Sequence, residues 1–152
     1  MNILLVEDEE PKRKNIIRAL ARIIPGGSTS QARSVSSAIK HLRSATPDLI
    51  LLDMSLPTFD IGPGEPGGRP QGFGGIEVLR YIDRFGLLVP VIVVTAYEAF
   101  AREGRQIDLD SLKSQLKTAH PRTFRGVVFY NSLLGAWSEE LARAIRDAVG
   151  EK

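Results

Sequence analysis

The sequence contains no cysteine, which excludes disulfide bonds and thiolate metal sites. It also lacks an apolar run of membrane-spanning length and a signal peptide, because the first apolar run, Ile3 to Val6, is short and acidic residues follow it at once. The formal net charge is only +2 and the basic residues are spread out, which argues against nucleic acid as a partner. These absences predict a cytoplasmic protein that contacts neither membrane nor nucleic acid.

Short apolar runs alternate with segments of helical periodicity along the 152 residues, enough chain for one domain with a core. Strands are predicted at residues 3–6, 28–32, 49–52, 89–95 and 127–130. Strand and helix follow one another about five times. This order predicts an α/β protein with a doubly wound parallel sheet and right-handed crossovers.

The run Leu49–Leu52 is apolar without interruption, which is typical of a central parallel strand covered on both faces. Asp53 follows directly where the strand ends. A charged residue there is costly unless it is used, and ligands bind at the carboxyl ends of strands in open α/β sheets. Alternatively, Asp53 only caps the following turn.

Segments outside the strands carry further local signals. Ser34 is predicted to cap a helix, residues 97–105 are predicted to be helical, and Asp110 is predicted to cap the helix that follows. Residues 58–72 are dense in glycine and proline and predict a loop beside Asp53. Its glycines form no phosphate-binding motif, so it is either a surface insertion or a lid or docking loop.

Acidic and hydroxyl residues stand at the ends of three predicted strands: Glu7 with Asp8, then Asp53, then Thr95. Because neighbouring parallel strands are about 4.8 Å apart, these side chains converge. Converging carboxylates repel one another unless a cation neutralises them, and hard oxygen ligands suit Mg²⁺. Asp53 could then attack a phosphoryl group, and the Thr95 hydroxyl could hydrogen-bond to it.

The motifs LLVEDEE, DLILLDMSLP, GGIEVLRYI and VPVIVVTAY occur in an order and spacing that closely resembles the receiver domain of two-component response regulators. The resemblance implies a flavodoxin-like, five-stranded parallel sheet with helices on both faces. It implies that Glu7 and Asp8 are the acidic Mg²⁺ pair and that Asp53 is the phosphoacceptor and a metal ligand. It further implies that the backbone carbonyl of Ser55 ligates the metal and that Thr95 is the switch hydroxyl.

Two departures from the family pattern stand out. The family has Lys-Pro at the end of the fifth strand, where the lysine pairs with the phosphoryl oxygens; here Tyr130 or Asn131 occupies that place. Losing such a charge-assisted contact would cost about 1.5–3 kcal/mol. The substitutes considered for the missing cation are Lys113, Lys117, Arg102 and Arg105, and the candidates for the switch aromatic are Phe129 and Tyr130.

The second departure is length. The extra residues lie in the Gly/Pro-rich loop at about 58–72 and in an enlarged segment at about 98–125, within a single receiver domain spanning residues 1–150. The enlarged segment includes the fourth helix, which in the family changes on activation and meets partners. A chain of this length leaves no room for an output domain, so signalling is expected to pass through protein contacts.

The leading hypothesis is a phospho-accepting switch, not an enzyme, although slow self-dephosphorylation is compatible with it. The expected partners are a sensor histidine kinase or phosphotransfer protein, a downstream protein and, through the region of the fourth and fifth helices, a second copy of the chain. The alternative is a degenerate receiver that acts as a phosphorylation-independent interaction module. A small phosphohydrolase is disfavoured, because Met54 and Ser55 follow Asp53 where such enzymes carry a second aspartate.

Overall fold

The computed structural model describes residues 1–60, 74–96, 99–102, 105–131, 133 and 135–150. The helices are α1 (Glu10–Ile23), α2 (Val35–Ser44), α3 (Gly74–Arg84), α4 (Leu109–Ala119) and α5 (Ala136–Val149). The strands are β1 (Asn2–Val6), β2 (Ser28–Ala32), β3 (Leu49–Leu52), β4 (Val91–Thr95), β5 (Ala99–Arg102), β6 (Arg105–Asp108) and β7 (Phe124–Phe129). No helix in these ranges combines the length and the apolar character needed to cross a membrane.

Five of the strands form one parallel sheet in the order β2-β1-β3-β4-β7. Strand β3 is central and its four residues are all buried, as the unbroken apolar run predicts. Val6 pairs with Leu52 in the register of β1 and β3. Glu7 and Asp53, the next residue in each strand's direction, therefore leave the sheet side by side.

Both faces of the sheet are covered by helices, which confirms the predicted doubly wound architecture. Helices α2, α3 and α4 pack with Ile50 and Leu52 of β3 on one face. Helices α1 and α5 pack with Leu49 and Leu51 on the other. Because side chains alternate along a strand, Asp53 continues the second series and points towards the side of α1 and α5.

Strand β7 carries one extra residue in its pairing with β4. Val91 pairs with Phe124, but Ile92 pairs with Gly126, so Arg125 has no partner. This bulge shifts the alternation along β7 by one position.

The enlarged segment differs from its prediction. Residues 97–105 were predicted to be helical, but Ala99–Arg102 and Arg105–Asp108 form a two-stranded antiparallel sheet. The predicted cap of the next helix was also wrong by one half turn, because the side chain of Asp108, not Asp110, accepts the hydrogen bond from the Ser111 amide at 2.8 Å. The predicted cap at Ser34 is confirmed, with Ser34 and Ser37 forming a reciprocal capping box.

Candidate functional site

Three carboxylates meet at the carboxyl edge of the sheet. One ligand oxygen from each of Glu7, Asp8 and Asp53 lies within 4.8 Å of the others. The backbone fixes two of them, since the Glu7 amide donates to the Ala32 carbonyl at 2.9 Å and the Asp53 amide donates to the Val6 carbonyl at 3.0 Å. The three acidic side chains that the sequence predicts to converge therefore lie together in the structure.

Lys12 of helix α1 reaches into this carboxylate cluster, and sequence reasoning missed it. Its ammonium nitrogen lies 2.6 Å from Glu7 Oε1 and 3.4 Å from Asp53 Oδ1, and it donates to the Val94 carbonyl at 2.8 Å. The residue is only 1% exposed. A buried lysine is rare unless it is paired, so its partners account for its position.

The sequence did hold a signal for Lys12. Helix α1 begins with Pro11 in its first turn, and the buried face continues through Ile16, Ala19 and Leu20. Lys12 is one helical turn before Ile16, so it belongs to the apolar stripe by spacing alone. A lysine at a core position of a helix that follows an acidic strand end indicates a buried ion pair.

Four residues of the enlarged segment are candidates for the missing cation, and the structure describes the side chains of two of them. Lys113 and Lys117 are exposed on α4. For Arg102 and Arg105, the structure describes the backbone but not the side chains. Both ion pairs that the structure gives to Glu7 and Asp53 come from Lys12.

Burial and mutual repulsion perturb the titration of the cluster. Burial, with the nearby Asp53 carboxylate, raises the pKa of Glu7 to about 8, although Lys12 opposes the shift. Burial also raises the pKa of Asp53 and of the half-buried Asp8. Burial alone would lower the pKa of Lys12, but the Asp53 and Glu7 carboxylates outweigh it and raise that pKa. The cluster is thus short of positive charge.

The donor set fits a magnesium ion. It offers carboxylate oxygens, the hard ligands that Mg²⁺ prefers. Asp53 Oδ1 is buried and has no hydrogen bond of acceptable geometry within the described residues. Such an oxygen is costly unless a cation or a donor satisfies it. The backbone of Ser55 hydrogen-bonds to Asp53, which places this half-buried residue beside the cluster.

Thr95 ends β4, the strand next to β3, and Tyr130 directly follows β7, the strand next to β4. Thr95 is the last residue of β4 and is fully buried, and its carbonyl accepts from the Tyr130 amide at 2.7 Å. The ring centroid of Tyr130 is 5.9 Å from the Lys12 nitrogen. Asn131 instead directs its side-chain oxygen to the Leu133 amide at 3.0 Å. Of the two residues considered for the place of the family's lysine, Tyr130 is therefore the one that faces the cluster.

Tyr130 is held from two sides. Its hydroxyl accepts from Asn15 Nδ2 of helix α1 at 2.7 Å. Its ring is tilted against that of Trp137, with centroids 4.8 Å apart. Trp137 is the single tryptophan of the chain. It therefore provides an intrinsic fluorescent reporter one aromatic ring away from Lys12.

The segments that follow Asp53 are tied to two helices. The Val35 and Ser36 amides at the start of α2 donate to the carbonyls of Pro57 and Thr58 at 3.0 and 2.9 Å. At the start of α3, the Gly75 amide donates to the Met54 carbonyl at 2.9 Å. The predicted Gly/Pro-rich loop at 58–72 lies outside the described residues beyond position 60.

Comparison with known proteins identifies the family of the chain. The family model for the response regulator receiver domain matches residues 3–125. The protein y4jR of Sinorhizobium fredii is 28% identical over 147 residues, which cover 95% of this chain and 96% of that protein. The Detocs response regulatory protein DtcB of Enterobacter cloacae is 26% identical over 149 residues, which cover 97% of this chain and 99% of DtcB.

Solved structures show the same fold. The response regulator TrrA of Thermotoga maritima, crystallised in complex with Mg²⁺-BeF, superposes with a TM-score of 0.61 at 21% identity, covering 94% of this chain and 97% of TrrA. Phosphorelay signalling and aspartate phosphorylation are typical of the matched family. This chain belongs to the family of response regulator receiver domains of two-component systems.

Proposed function

We propose that this receiver domain is a phospho-accepting switch and that Asp53 is its acceptor. The observation that carries the proposal is the convergence of Glu7, Asp8 and Asp53 within 4.8 Å, with the buried Asp53 Oδ1 held among the described residues by a 3.4 Å ion pair to Lys12. The donor is a phosphohistidine of a sensor kinase or phosphotransfer protein. In the transfer, an Asp53 oxygen bonds to phosphorus, and the phosphorus–nitrogen bond breaks with its electron pair returning to the imidazole.

The residues of this site are proposed to have separate roles in metal binding and in phosphoryl binding. Glu7, Asp8, Asp53 and the backbone carbonyl of Ser55 would hold Mg²⁺, which supplies charge neutralisation for the phosphoryl oxygens when it is bound. Thr95 would hydrogen-bond to the phosphoryl group from the end of β4. The family is a signalling domain and generally not an enzyme, so the output is a change in protein binding.

The output surface is proposed to lie in the enlarged segment at about 98–125, with the neighbouring α5. Helix α4 of this segment is exposed along Lys113, Ser114, Lys117 and Thr118. A downstream protein, or a second copy of the chain, would bind there in response to the state of Asp53. Single-domain organisation over residues 1–150 is part of the same proposal.

A second candidate function rests on Tyr130. This residue fills the strand end where the family pattern has its phosphoryl-pairing lysine, which favours a degenerate receiver that binds its partner regardless of phosphorylation. The two proposals differ in one measurable property, the uptake of a phosphoryl group.

The test is intact mass spectrometry after incubation with Mg²⁺ and acetyl phosphate. We expect one phosphoryl adduct on the wild type and none on Asp53→Asn. Asp147→Asn, which changes an exposed carboxylate on α5, serves as the matched control and should be modified like the wild type. No adduct on a wild type that binds Mg²⁺ would refute the switch and leave the interaction module.

A further inference from the structure

We infer that Lys12 is the phosphoryl-binding cation of this receiver, supplied by helix α1 instead of the last strand of the sheet. The inference rests on the proposed function, because it assigns a residue to the phosphoryl group that Asp53 would carry. Its basis is the position of the Lys12 ammonium and the N–H donors of that ammonium that Glu7 and Val94 do not occupy.

The position of the ammonium is the first argument. Its nitrogen is 3.4 Å from Asp53 Oδ1, the oxygen that has no hydrogen bond in the described part of the chain. A phosphorus bonded to the Asp53 carboxylate brings three further oxygens into the space around it. An ammonium at this distance from the acceptor is within hydrogen-bond reach of that space.

The donor count is the second argument. A lysine ammonium has three N–H donors. Glu7 Oε1 at 2.6 Å and the Val94 carbonyl at 2.8 Å take two of them. The third donor is left for the Asp53 side, where the ammonium pairs with Oδ1 at 3.4 Å, and a phosphoryl oxygen attached to Asp53 can take that donor.

The surroundings of Lys12 are the third argument. The Tyr130 ring, 5.9 Å away at the end of β7, and the main chain at Val94 hold the ammonium at the edge of the sheet. Both ion pairs that the structure gives to Glu7 and Asp53 come from Lys12, so this ammonium is the positive charge placed beside the acceptor. A further negative group therefore requires this ammonium as well as the metal.

Lys12 acts in this scheme as a charge and transfers no proton. With acetyl phosphate, an Asp53 oxygen bonds to phosphorus, and the bond from phosphorus to the acetyl oxygen breaks with its electron pair leaving on acetate. The ammonium keeps its contact with Glu7 and directs its remaining donor to a phosphoryl oxygen. Its expected effects are faster uptake and tighter holding of the group.

The first experiment compares Lys12→Met with Lys14→Met. Lys14 is the matched control, because its side chain is 60% exposed and pairs with Glu10 on the surface of the same helix. At saturating Mg²⁺, titrated separately for each variant, we expect Lys12→Met to bind beryllofluoride at least about tenfold more weakly in ¹⁹F NMR. Lys14→Met should bind it like the wild type.

A second variant tests whether an ammonium at the end of β7 can replace that of Lys12. The double variant Lys12→Met with Tyr130→Lys moves the ammonium to the end of β7, and we expect it to recover most of the beryllofluoride affinity and of the phosphoryl uptake. A folded Lys12→Met that binds beryllofluoride within about twofold of the wild type would overturn the inference.

A measurement on the wild type covers the case in which Lys12→Met does not fold. The side-chain ¹⁵N resonance of Lys12, assigned by its loss in Lys12→Arg, should shift when beryllofluoride binds the Mg²⁺-loaded protein. An unshifted resonance in a protein that has bound beryllofluoride would refute the inference. A wild type that takes up no phosphoryl group would instead refute the proposed function, so the two failures are distinguishable.

Discussion

At the scale of single residues, the main feature of the site is that its carboxylates outnumber the ammonium that pairs with them. Glu7 and Asp53 are 1% and 4% exposed, and the one ammonium paired with them is 1% exposed. Burying carboxylates beside one another favours the protonated form of at least one of them. The pKa of Glu7, raised to about 8 by burial, is the consequence.

This shift predicts how metal-free stability depends on pH. The ordinary pKa of 4.5 applies to Glu7 in the unfolded chain, and a pKa of about 8 applies in the folded protein. Between these values the folded state retains a proton that the unfolded chain loses. The free energy of unfolding should therefore fall as pH rises through this window, by up to about 1.4 kcal/mol per pH unit for one proton.

Urea unfolding at several pH values, in the presence of a chelator, measures this slope. Asp53 and Asp8, whose pKa values are raised too, contribute in the same direction. Glu7→Gln should reduce the slope by about one proton's share. A slope in Glu7→Gln equal to that of the wild type would show that another group is responsible.

At the scale of the elements, two glycines let helix α3 begin against the backbone that follows Asp53. A Cβ atom added at Gly75 would lie 2.5 Å from the Asp53 carbonyl oxygen and 2.9 Å from the Met54 Cα. One added at Gly74 would lie 2.5 Å from the Leu56 carbonyl oxygen. These contacts involve backbone atoms, which cannot turn aside as a flexible side chain does.

Gly75→Ala is therefore expected to push the Asp53 segment away from α3. We expect a loss of about 1–3 kcal/mol in the free energy of unfolding, together with slower phosphoryl uptake. Gly135→Ala is the matched control, since nothing lies within 4 Å of its added Cβ and its φ of −75° suits alanine. Equal stability and uptake for Gly75→Ala and the wild type would contradict the close approach.

The elements also show where sequence reasoning succeeded and failed. Strands β1, β3 and β4 were predictable because burial on both faces leaves an unbroken apolar run, as in Leu49–Leu52. The polar edge strand β2 was predictable only from its place in the order of elements. The two-stranded sheet formed by Ala99–Arg102 and Arg105–Asp108 was not, because its short segments carry no clear period of two and contain charged residues.

At the scale of the whole molecule, the candidate site was only partly predictable for a related reason. Glu7, Asp8 and Asp53 follow strands, and parallel strands end at one edge, so their convergence follows from fold class alone. Lys12 comes from a helix that crosses the sheet face. Its contact with Asp53 depends on helix position and on the length of a side chain, which no spacing along the sequence specifies.

The bulge at Arg125 has a consequence that reaches across the entire sheet. Successive side chains on a strand point to opposite faces of the sheet, so odd- and even-numbered residues lie on different faces. From Gly126 onwards, the unpaired residue reverses which of the two lies on which face. Phe124 packs with α2, α3 and α4, whereas Val128 and Tyr130 pack with α1 and α5. If Arg125 instead paired with Ile92, the even positions would stay on the first side, and Tyr130 would face away from Lys12.

The face of the sheet on which Tyr130 lies is thus set by the extra residue of the bulge, Arg125, five positions upstream. Inserting one alanine between Gly126 and Val127 should exchange the two faces of the rest of β7, lower stability severely and separate Tyr130 from Trp137. Deleting Arg125 should leave the faces as they are, because Gly126 already pairs with Ile92. Arg125→Ala, a change at an exposed side chain, should alter stability by no more than about 0.5 kcal/mol. Urea unfolding followed by Trp137 emission distinguishes the insertion from the substitution, and an insertion as mild as the substitution would disprove the rule. In this strand, the number of residues determines which face each side chain occupies, independently of the identity of any one side chain.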